Sequence, residues 1–554
     1  MKRQRLLLPF ALSMCLFSMA NALPYGENRV APDDKPKPKR DSIIYLLHAD
    51  QLSFDQAKNP DAQILNRNVR FRHNMAYMDC DSANFYQADN SFEAFGHVKM
   101  RQGDTLTLTS NYLYYDGDQQ LAICRGNVVL THRKTKLLTD SLNYDRLYDL
   151  GYFMEGGTLE DEDNVLTSDW GEYSPANHEA LFNFNVKLVN PKFTLTTDTL
   201  HYNTQTDVAH FTGPSNVDSD DNHIYSESGY YNTKTEDAQL VDRSVLVNPL
   251  RRLVGDSVIY NKRTGEGYGY GNVVATNIKD KNMLVSDYCY YNDSTGVAVA
   301  TGHAVVKDFS QEKADTLFMH ADSLKMFSYD LDTDSLYRII HCYRKARLYR
   351  SDIQGVSDSI VYNQKDSCVT LYYSPVLWNK NMQLSGEKIR VFTNDSTINW
   401  VHIENQALSV EQIDSVHYNQ IAGKEIKAYF TDGEIHQANV EGNVEFVYYP
   451  MEKDSTLSMM HTGQDTEMRF YLENRKLKKI WGGSGFSATG YPLALIPADK
   501  FTLRSFLWLD YIRPLDKDDI FNWRERKAED VLQVTPKRDI PLIELDKLKT
   551  KKEE

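Results

Sequence analysis

The sequence predicts an elongated all-β protein built from many copies of one short unit, and three observations support this. A tyrosine-centred motif recurs at a spacing of 29 residues, apolar residues keep fixed positions around it, and strand-forming residues are abundant. The 554 residues include 35 Tyr, and aromatic residues make up 12% of the chain. This composition favours strands, and a fixed period is typical of an array in which each unit packs on the next.

The motif is a pair of Asp, Ser or Thr residues followed within a few positions by an aromatic residue, which we call the anchor. The first seven anchors are 29 residues apart, and the later ones are separated by 31, 36, 35, 30 and 26 residues. About twelve repeats are therefore expected. The anchors are Tyr86, Tyr115, Tyr144, Tyr173, Tyr202, Tyr231, Tyr260, Tyr291, Phe327, Tyr362, Phe392 and Tyr418.

The apolar positions within one repeat predict a bend. Residues on the same face of a strand are an even number apart, as are Leu106 and Leu108, and again Leu113 and Tyr115. Leu108 and Leu113 are five apart, so one extra residue lies at the polar step between them, as a β-bulge requires. Bends repeated in every copy predict two facing bent sheets with apolar residues between them.

The N-terminal residues predict export. Lys2, Arg3 and Arg5 precede a short apolar run, and Ala20-Asn21-Ala22 is a small-x-small cleavage site. Residues 1–22 are therefore interpreted as a signal peptide cleaved after Ala22. A lipoprotein signal ending at Cys15 is the alternative, but the bulky Met14 precedes that cysteine.

The rest of the chain divides by composition. Residues 23–45 are rich in Pro and Lys and are expected to form a linker. The repeat array is assigned to 46–450. Residues 451–525 are interpreted as a C-terminal cap, because terminal units of arrays are atypical, and 526–554 as a charged tail.

Charge and motifs argue against several function classes. The formal net charge of −15 disfavours a nucleic-acid partner. The sequence has no HExxH, GxSxG or phosphate-loop motif, so we expect no enzyme, no catalytic residues and no cofactor. Five cysteines remain after Cys15 without a CxxC pair, so neither a metal site nor a disulfide framework is expected.

Two runs of residues carry a family resemblance. The run from Thr107 to Asp116, followed by the run from Ala122 to Val128, resembles the repeat of the OstA-like family. Residues 198–202 and 440–444 are similar, and the likeness extends over about 46–450. The family includes the periplasmic lipopolysaccharide-transport protein A and the N-terminal domain of the lipopolysaccharide-assembly protein D. The length resembles the long members found in Bacteroidota.

The resemblance implies a fold and a function. The family fold is an open β-jellyroll with a hydrophobic groove that shelters lipopolysaccharide acyl chains on the way to the outer membrane. It implies a periplasmic location, with three partners: lipopolysaccharide or a related glycolipid, other jellyroll proteins bound through edge strands, and an outer-membrane assembly protein. The expected groove residues lie seven positions before the second to eighth anchors: Leu108, Leu137, Leu166, Leu195, Ile224, Leu253 and Leu284.

Five arginines in two local basic spots are candidates for head-group contact, namely Arg67, Arg70, Arg72, Arg344 and Arg347. Two other interpretations remain open. A parallel β-helix acting as a surface carbohydrate-binding or adhesive protein would also give a period near 29 and an acidic surface. A purely architectural spacer is the third interpretation, and in both of these alternatives the leucines only pack against one another.

Overall fold

The chain forms one continuous antiparallel sheet that is bent along its length. The computed structural model describes residues 43–530, except 56, 58, 220–221, 250, 280, 310–314, 332, 334, 395–397, 432–433, 452–455 and 474–475. Thirty-six strands are hydrogen-bonded into a single sheet, and the described part of the chain contains no α-helix. The prediction of an elongated all-β repeat fold is confirmed. The signal peptide and most of the linker and tail lie outside the described residues.

The strands follow one another at short turns. In the N-terminal half they are β1 (Tyr45–His48), β2 (Gln51–Asp55), β3 (Asn59–His73), β4 (Ala76–Tyr86), β5 (Ser91–Gln102), β6 (Leu106–Asp116), β7 (Leu121–His132), β8 (Thr135–Asp145), β9 (Leu150–Phe153), β10 (Gly157–Asp161), β11 (Asn164–Ser168), β12 (Trp170–Ser174), β13 (Glu179–Asn190), β14 (Phe193–Asn203), β15 (Val208–Ser219), β16 (Asn222–Asn232), β17 (Ala238–Val247) and β18 (Arg251–Asn261).

The C-terminal half continues the same pattern. Its strands are β19 (Glu266–Asn277), β20 (Asn282–Asn292), β21 (Val297–Thr301), β22 (Val305–Asp308), β23 (Leu317–His320), β24 (Ser323–Tyr329), β25 (Tyr337–Arg350), β26 (Ile353–Asn363), β27 (Cys368–Tyr372), β28 (Val376–Asn379), β29 (Met382–Ser385), β30 (Lys388–Thr393), β31 (Ile398–Gln412), β32 (Tyr418–Thr431), β33 (Glu434–Tyr448), β34 (Met459–Glu473), β35 (Lys476–Gly482) and β36 (Ser487–Pro492).

A bulge divides each long strand into two arms. In β7, residues 121–125 and 128–132 pair with β8, whereas Gly126 and Asn127 lie opposite the single residue Asp140. Both bulge residues have positive φ, 74° for Gly126 and 50° for Asn127. Two residues facing one bend the strand and increase its twist. The predicted bulge at the polar step is present, and its left-handed residues lie on the returning strand.

The same left-handed step recurs along the sheet. Consecutive residues with positive φ occupy positions 67–68, 96–97, 126–127, 184–185, 242–243, 271–272, 302–303, 344–345, 373–374, 405–406 and 442–443. The polar side chain opposite the bulge bonds to it in several copies. Asn272 Nδ2 donates to Asp256 Oδ2 at 2.9 Å, and His303 Nδ1 lies 2.8 Å from Asp287 Oδ2. The bends of successive copies therefore stack into one ridge.

The two arms fold towards each other and share an interior. We call the arm that contains Leu108 the first arm and the arm that contains Leu113 and Tyr115 the second arm. All three side chains are buried in one hydrophobic core. In β6 every second residue is buried up to Ser110, and the next buried residue is Leu113, three positions later. This odd step keeps both arms facing inward across the bend.

The antiparallel pairing excludes the parallel β-helix. Each strand pairs with its neighbours in antiparallel register, for example Leu108 with Leu130 and Leu130 with Leu137. A β-helix would instead stack its coils in parallel. That alternative interpretation of the 29-residue period was therefore wrong.

Most anchors occupy the predicted interior position. Tyr115, Tyr144, Tyr173 and Tyr202 are fully buried, and Tyr231, Tyr260, Tyr291 and Tyr362 are half-buried. In the first copy the buried ring is Phe85, whereas the hydroxyl of Tyr86 bonds Glu93 at 3.0 Å on the outer face. The first anchor was therefore assigned one residue too late.

Three late anchors were also misassigned. Phe392 stacks on Trp400 with ring centroids 4.1 Å apart, and its neighbour Val391 holds the core position instead. Phe327 packs against His341 beside the core residue Leu324, and Tyr418 contacts the C-terminal segment at Phe506. The repeat length varies in these copies. Counting from the previous anchor can therefore select a residue whose side chain lies on the outer face of the strand.

The C-terminal segment runs back over the sheet. Residues 493–530, which we call the strap, contain only short 3-10 turns, at Leu493–Leu495, Ala498–Lys500, Asp510–Ile512, Asp519–Phe521 and Ala528–Asp530. The strap covers the outer face of the first arm. There Leu509 and Ile512 pack on Trp378, and Leu503 packs near Val410. Each fully buried aliphatic side chain contributes about 1.5–3 kcal/mol.

Buried glutamines fix the strap backbone. Gln383 accepts from Leu509 N at 2.7 Å and donates to Leu507 O at 2.8 Å. Gln420 accepts from Leu503 N at 2.8 Å and donates to Phe501 O at 3.0 Å. Each glutamine amide thus pairs with one backbone N–H and one backbone C=O group of the strap. Burying these backbone groups without partners would cost free energy.

The observed boundaries differ from the sequence estimate. Strands continue to Pro492, beyond the expected end of the array at 450. The remaining part of the predicted 451–525 cap lies along the outer face of five or more strands rather than across the last one.

Substitution of Gly271 tests the bulge. Gly271 has φ +66°, and an added Cβ would lie 2.2 Å from Asp256 Oδ2, whereas at Gly267 the nearest atom is 3.8 Å away. We expect Gly271→Ala to cost about 1–3 kcal/mol and Gly267→Ala less than about 0.5 kcal/mol. Urea midpoints measure both, and equal midpoints for the two variants would contradict this account.

Acid is expected to loosen the strap. Burial alone would raise the pKa of Asp519, but hydrogen bonds from Arg524 and Leu515 N lower this pKa to about 2 from an ordinary 3.8. The ionised form thus stabilises the strap above pH 4, and this contribution is lost as the pH falls from about 4 to 2. Fluorescence of Trp523, which faces Arg347 at 5.5 Å, reports the change. Asp519→Asn should remove the transition in this window.

Candidate functional site

The free ends of the two arms meet opposite the ridge, along an edge that we call the mouth. Over β3 to β15, the sealed section, polar side chains bond across the mouth. Tyr115 of the second arm lies 2.7 Å from His73 Nδ1 of the first arm, and Arg146 bonds both Tyr115 and Gln102. Gln102 also donates to Asp149 at 2.7 Å. We call this row of contacts the seam.

The seam continues along the sealed section. Asp161 accepts from the hydroxyl of Tyr202 at 3.0 Å, and Asn164 donates to the same hydroxyl at 2.9 Å. Further along, Lys192 Nζ lies 2.5 Å from Glu236 Oε1, which joins the turn after β13 to the turn after β16. These last three pairs are 38 to 44 residues apart in sequence and join the two arms rather than adjacent strands.

The seam groups titrate abnormally because they are desolvated. Burial raises the pKa of Asp161, although its hydrogen bonds from Thr135 and Tyr202 act in the opposite direction. Burial also raises the pKa of Tyr115, against the attraction of Arg146. His132 has a lowered pKa, first because of burial and then because of the nearby His178. His73 and Asp161 are at most 4% exposed, so these polar groups are buried at the mouth.

Large aromatic side chains fill the interior of the sealed section. Phe153, Phe182 and Phe211 hold one position of the returning strand, 29 residues apart, and all are fully buried. Their rings pack against glycines of the neighbouring strands. A Cβ on Gly171 would lie 2.5 Å from Phe182, and one on Gly229 would lie 2.5 Å from Phe211. These rings fill the interior of the three copies that contain them.

The interior changes from β16 to β22, which we call the open section. The position of the three phenylalanines is taken by Leu240, Gly269 and Ala300. The first core cluster ends at Val258, and the second begins at Ala300. Between them, Val273 is fully buried, whereas Leu253, Tyr260, Ala275 and Leu284 are partly exposed. We call this partly exposed apolar strip between the arms the cleft.

The structure divides the seven predicted groove residues into two groups. Leu108, Leu137, Leu166 and Leu195 are at most 1% exposed and form the closed core of the sealed section. Ile224, Leu253 and Leu284 are half-buried at the edges of the two core clusters, in the open section. The second group lies at the cleft, and a lipid-binding role of the seven residues stays a prediction.

The predicted head-group arginines do not border the cleft. Arg70 pairs with Asp79 at 2.5 Å and Arg72 lies over Tyr45, on the outer face of β3, while Arg67 is exposed in a bulge. Arg344 is also an exposed bulge residue. Arg347 is only 3% exposed beneath the strap. The sequence showed where positive charge clusters but not which face of the strand each residue occupies.

Sequence reasoning missed the seam and the cleft. The phenylalanine period and its replacement by Leu, Gly and Ala were visible in the sequence at a spacing of 29 to 31 residues. Within the described ranges, no group of three or more His, Cys, Asp or Glu residues is placed to bind a metal ion. The 3-10 turns in these ranges are too short to cross a membrane as helices.

Comparison with family models gives a match in the N-terminal part of the chain. The family model described as OstA-like protein matches residues 41–198 and 193–256. This range includes the sealed section and the first strands of the open section. The resemblance drawn from the repeat is confirmed for these residues. A search of curated proteins gave no significant match.

Truncation of leucines distinguishes core from cleft. Leu166 is fully buried, so Leu166→Ala should leave a cavity and cost about 2–5 kcal/mol. Leu253 is half-exposed, and Leu253→Ala should cost about 1 kcal/mol or less because little buried contact is lost. Denaturant midpoints give the comparison. A loss at Leu253 as large as that at Leu166 would show that the open section is closed in solution.

Proposed function

We propose that this chain is a periplasmic lipid-binding bridge protein, because residues 41–256 match the model of the OstA-like family. It shelters the acyl chains of lipopolysaccharide, or of a related glycolipid, during transport to the outer membrane. The observation that carries the proposal is the half-exposed apolar cleft of the open section, lined by Ile224, Leu253 and Leu284.

Burial of acyl chains against apolar side chains would supply the binding free energy without any polar contact. Each methylene group removed from water contributes about 0.8 kcal/mol, so one chain of a dozen carbons contributes on the order of 10 kcal/mol before ordering costs. Gly269 stands where phenylalanines stand in the sealed section, and Ala275 stands where Leu188 and Val217 do. The acyl chains would therefore lie between the arms of β16 to β22.

The sealed section has a different part in this proposal. Its interior is filled and its mouth is bonded shut, so it acts as a rigid spacer that holds the cleft at a distance from the N-terminal edge. The architectural interpretation thus applies to the sealed section, and lipid binding to the open section. Transport and binding, rather than catalysis, are the activities typical of the family.

The N-terminal edge is suited to a partner of the same fold. Leu52 pairs with the buried Leu65, which places its side chain on the inner face, yet Leu52 is 51% exposed and Phe54 is 63% exposed. Such an edge strand offers unpaired backbone groups and an unfinished core to another jellyroll domain. Other jellyroll transport proteins and an outer-membrane assembly protein are the proposed neighbours.

Site-specific crosslinking tests the proposal in cells. A diazirine amino acid the size of leucine, placed at Leu253 or Leu284, is expected to capture an acylated glycolipid, identified by mass spectrometry of the purified protein. The matched controls are Leu137 and Leu166, whose side chains are fully buried and should react only within the protein.

Two results would count against the proposal. Absence of lipid adducts at Leu253 and Leu284, with reaction confined to the protein itself, would remove the lipid-binding function. Adducts with polysaccharide that lacks acyl chains would favour a carbohydrate-binding protein instead.

A further inference from the structure

A cavity of about 230 Å³ lies between the strap and the outer face of the sheet at β26. Val356 of β26 and Ile512 of the strap line this cavity, and each is 3% exposed. Tyr373 and Trp523 line it as well. An apolar cavity of about 150 Å³ can hold benzene, so this one has room for an aromatic ring with a short polar group.

Tyr373 has an unusual backbone conformation at the edge of this cavity. It is the first residue of a left-handed bulge, with φ +63°, and it is 72% exposed. In most other copies this bulge position holds Gly, Arg, Asn or Asp. A bulky residue with positive φ is strained, and such strain is concentrated at functional positions. The conformation of Tyr373 therefore marks the cavity as a candidate binding site.

Arg526 gives the cavity a charged hydrogen-bond donor. Its Nη2 donates to the carbonyl oxygen of Ser374, which joins the strap to the bulge. Its Nη1 is buried and has no hydrogen-bond partner among the described residues. Burial lowers the pKa of Arg526, although Tyr511 and Asp530 favour its charged form. A buried charged donor without an acceptor is costly, so this guanidinium favours an anionic ligand over a neutral one.

The other charges at the cavity favour an anion with a single negative charge. Arg524 is already matched, since its Nη2 and Nη1 donate to Asp519 at 2.6 and 2.8 Å. Asp358 also lines the cavity and is exposed. A phosphate dianion would be repelled by this carboxylate, whereas a ligand carboxylate matches the one guanidinium of Arg526.

We propose that this cavity binds a carboxylate that carries an apolar or aromatic group. The carboxylate accepts a hydrogen bond from Nη1 of Arg526, which reaches it by rotation of the guanidinium. The apolar group packs against Val356 and Ile512, beside the ring of Tyr373. The site is on the outer face of the sheet, so this inference does not rest on the proposed lipid-binding function.

Such a ligand connects the strap to the sheet. Ile512, Trp523 and Arg526 belong to the strap, whereas Val356 and Tyr373 belong to the sheet and its bulge. The site is complete only when the strap is in place, and a ligand that binds one state stabilises that state by mass action. Hydrogen exchange of the strap backbone should therefore slow when the ligand is added.

The test compares an acid with its neutral amide. The probes are 3-phenylpropionate and 3-phenylpropionamide, which share one ring and chain, and N-acetylphenylalanine serves as a model of a peptide end. The variants are Arg526→Gln and Tyr373→Ala. The control is Arg504→Gln, which removes an exposed strap arginine that does not line the cavity. Titration calorimetry gives each Kd, and hydrogen exchange shows whether each variant keeps its strap in place.

The native chain should bind the acid about tenfold or more tightly than the amide, because one charge-assisted hydrogen bond corresponds to about a tenfold change in Kd. Arg526→Gln should bind the acid as weakly as the native chain binds the amide. Tyr373→Ala should weaken binding of both probes, because it removes an apolar contact rather than a charge. The control variant should match the native chain with both probes.

Several results would overturn the carboxylate site. Equal Kd values for the acid and the amide on the native chain would do so, and this comparison needs no substitution. An unchanged Kd of the acid on Arg526→Gln would do so as well. Tighter binding of N-acetylphenylalanine than of 3-phenylpropionate would support the site as one for peptide ends, and the opposite order would support it as one for free acids.

A last variant tests whether the chain supplies the carboxylate itself. It replaces the acidic residues after position 530 by their amides, namely Asp539, Glu544, Asp546, Glu553 and Glu554. Equal Kd values of the acid for this variant and the native chain would support a separate ligand. Binding of the acid to this variant alone would show that the chain's own carboxylate fills the cavity, and the inference would fall.

Discussion

The bulge at the middle of each long strand is the constraint on which the rest of the structure depends. Two left-handed residues face one polar residue, so the strand bends at the same place in each copy. The bend turns one continuous sheet into two facing arms without breaking its hydrogen-bonded ladder. Because the apolar alternation shifts by one residue at the bend, both arms present apolar side chains to the shared interior.

Within this frame, the interior is filled in different ways along the sheet. Phenylalanine at positions 153, 182 and 211 fills the interior of three copies, and the mouth over it is bonded by seam residues such as Asp161 and Tyr202. Gly269 and Ala300 hold the same position further along, in copies where Leu253 and Leu284 are partly exposed. Side-chain size at this position is not the whole cause, because Cys124 holds it in the sealed section and is fully buried.

The strap stiffens the C-terminal copies from outside. Their interior contains smaller residues than the sealed section, and the outer face of the first arm gains a second apolar layer against Leu509 and Ile512. Gln383 and Gln420 act as local substitutes for strand pairing, since each amide bonds one donor and one acceptor of the strap. The face of the sheet that a partner or solvent meets therefore differs between the two halves of the molecule.

The sequence by itself determined the strand content, the 29-residue repeat, the bend at the polar step and the family resemblance of the N-terminal part, because these depend on residues close together in the chain. It misplaced Phe392 and Phe327, since an insertion of one residue reverses the face of a strand side chain. Tertiary structure alone decided which leucines are sealed and which are exposed. Leu166 and Leu253 occupy equivalent positions, and their exposure depends on what faces them across the interior, about forty or more residues away.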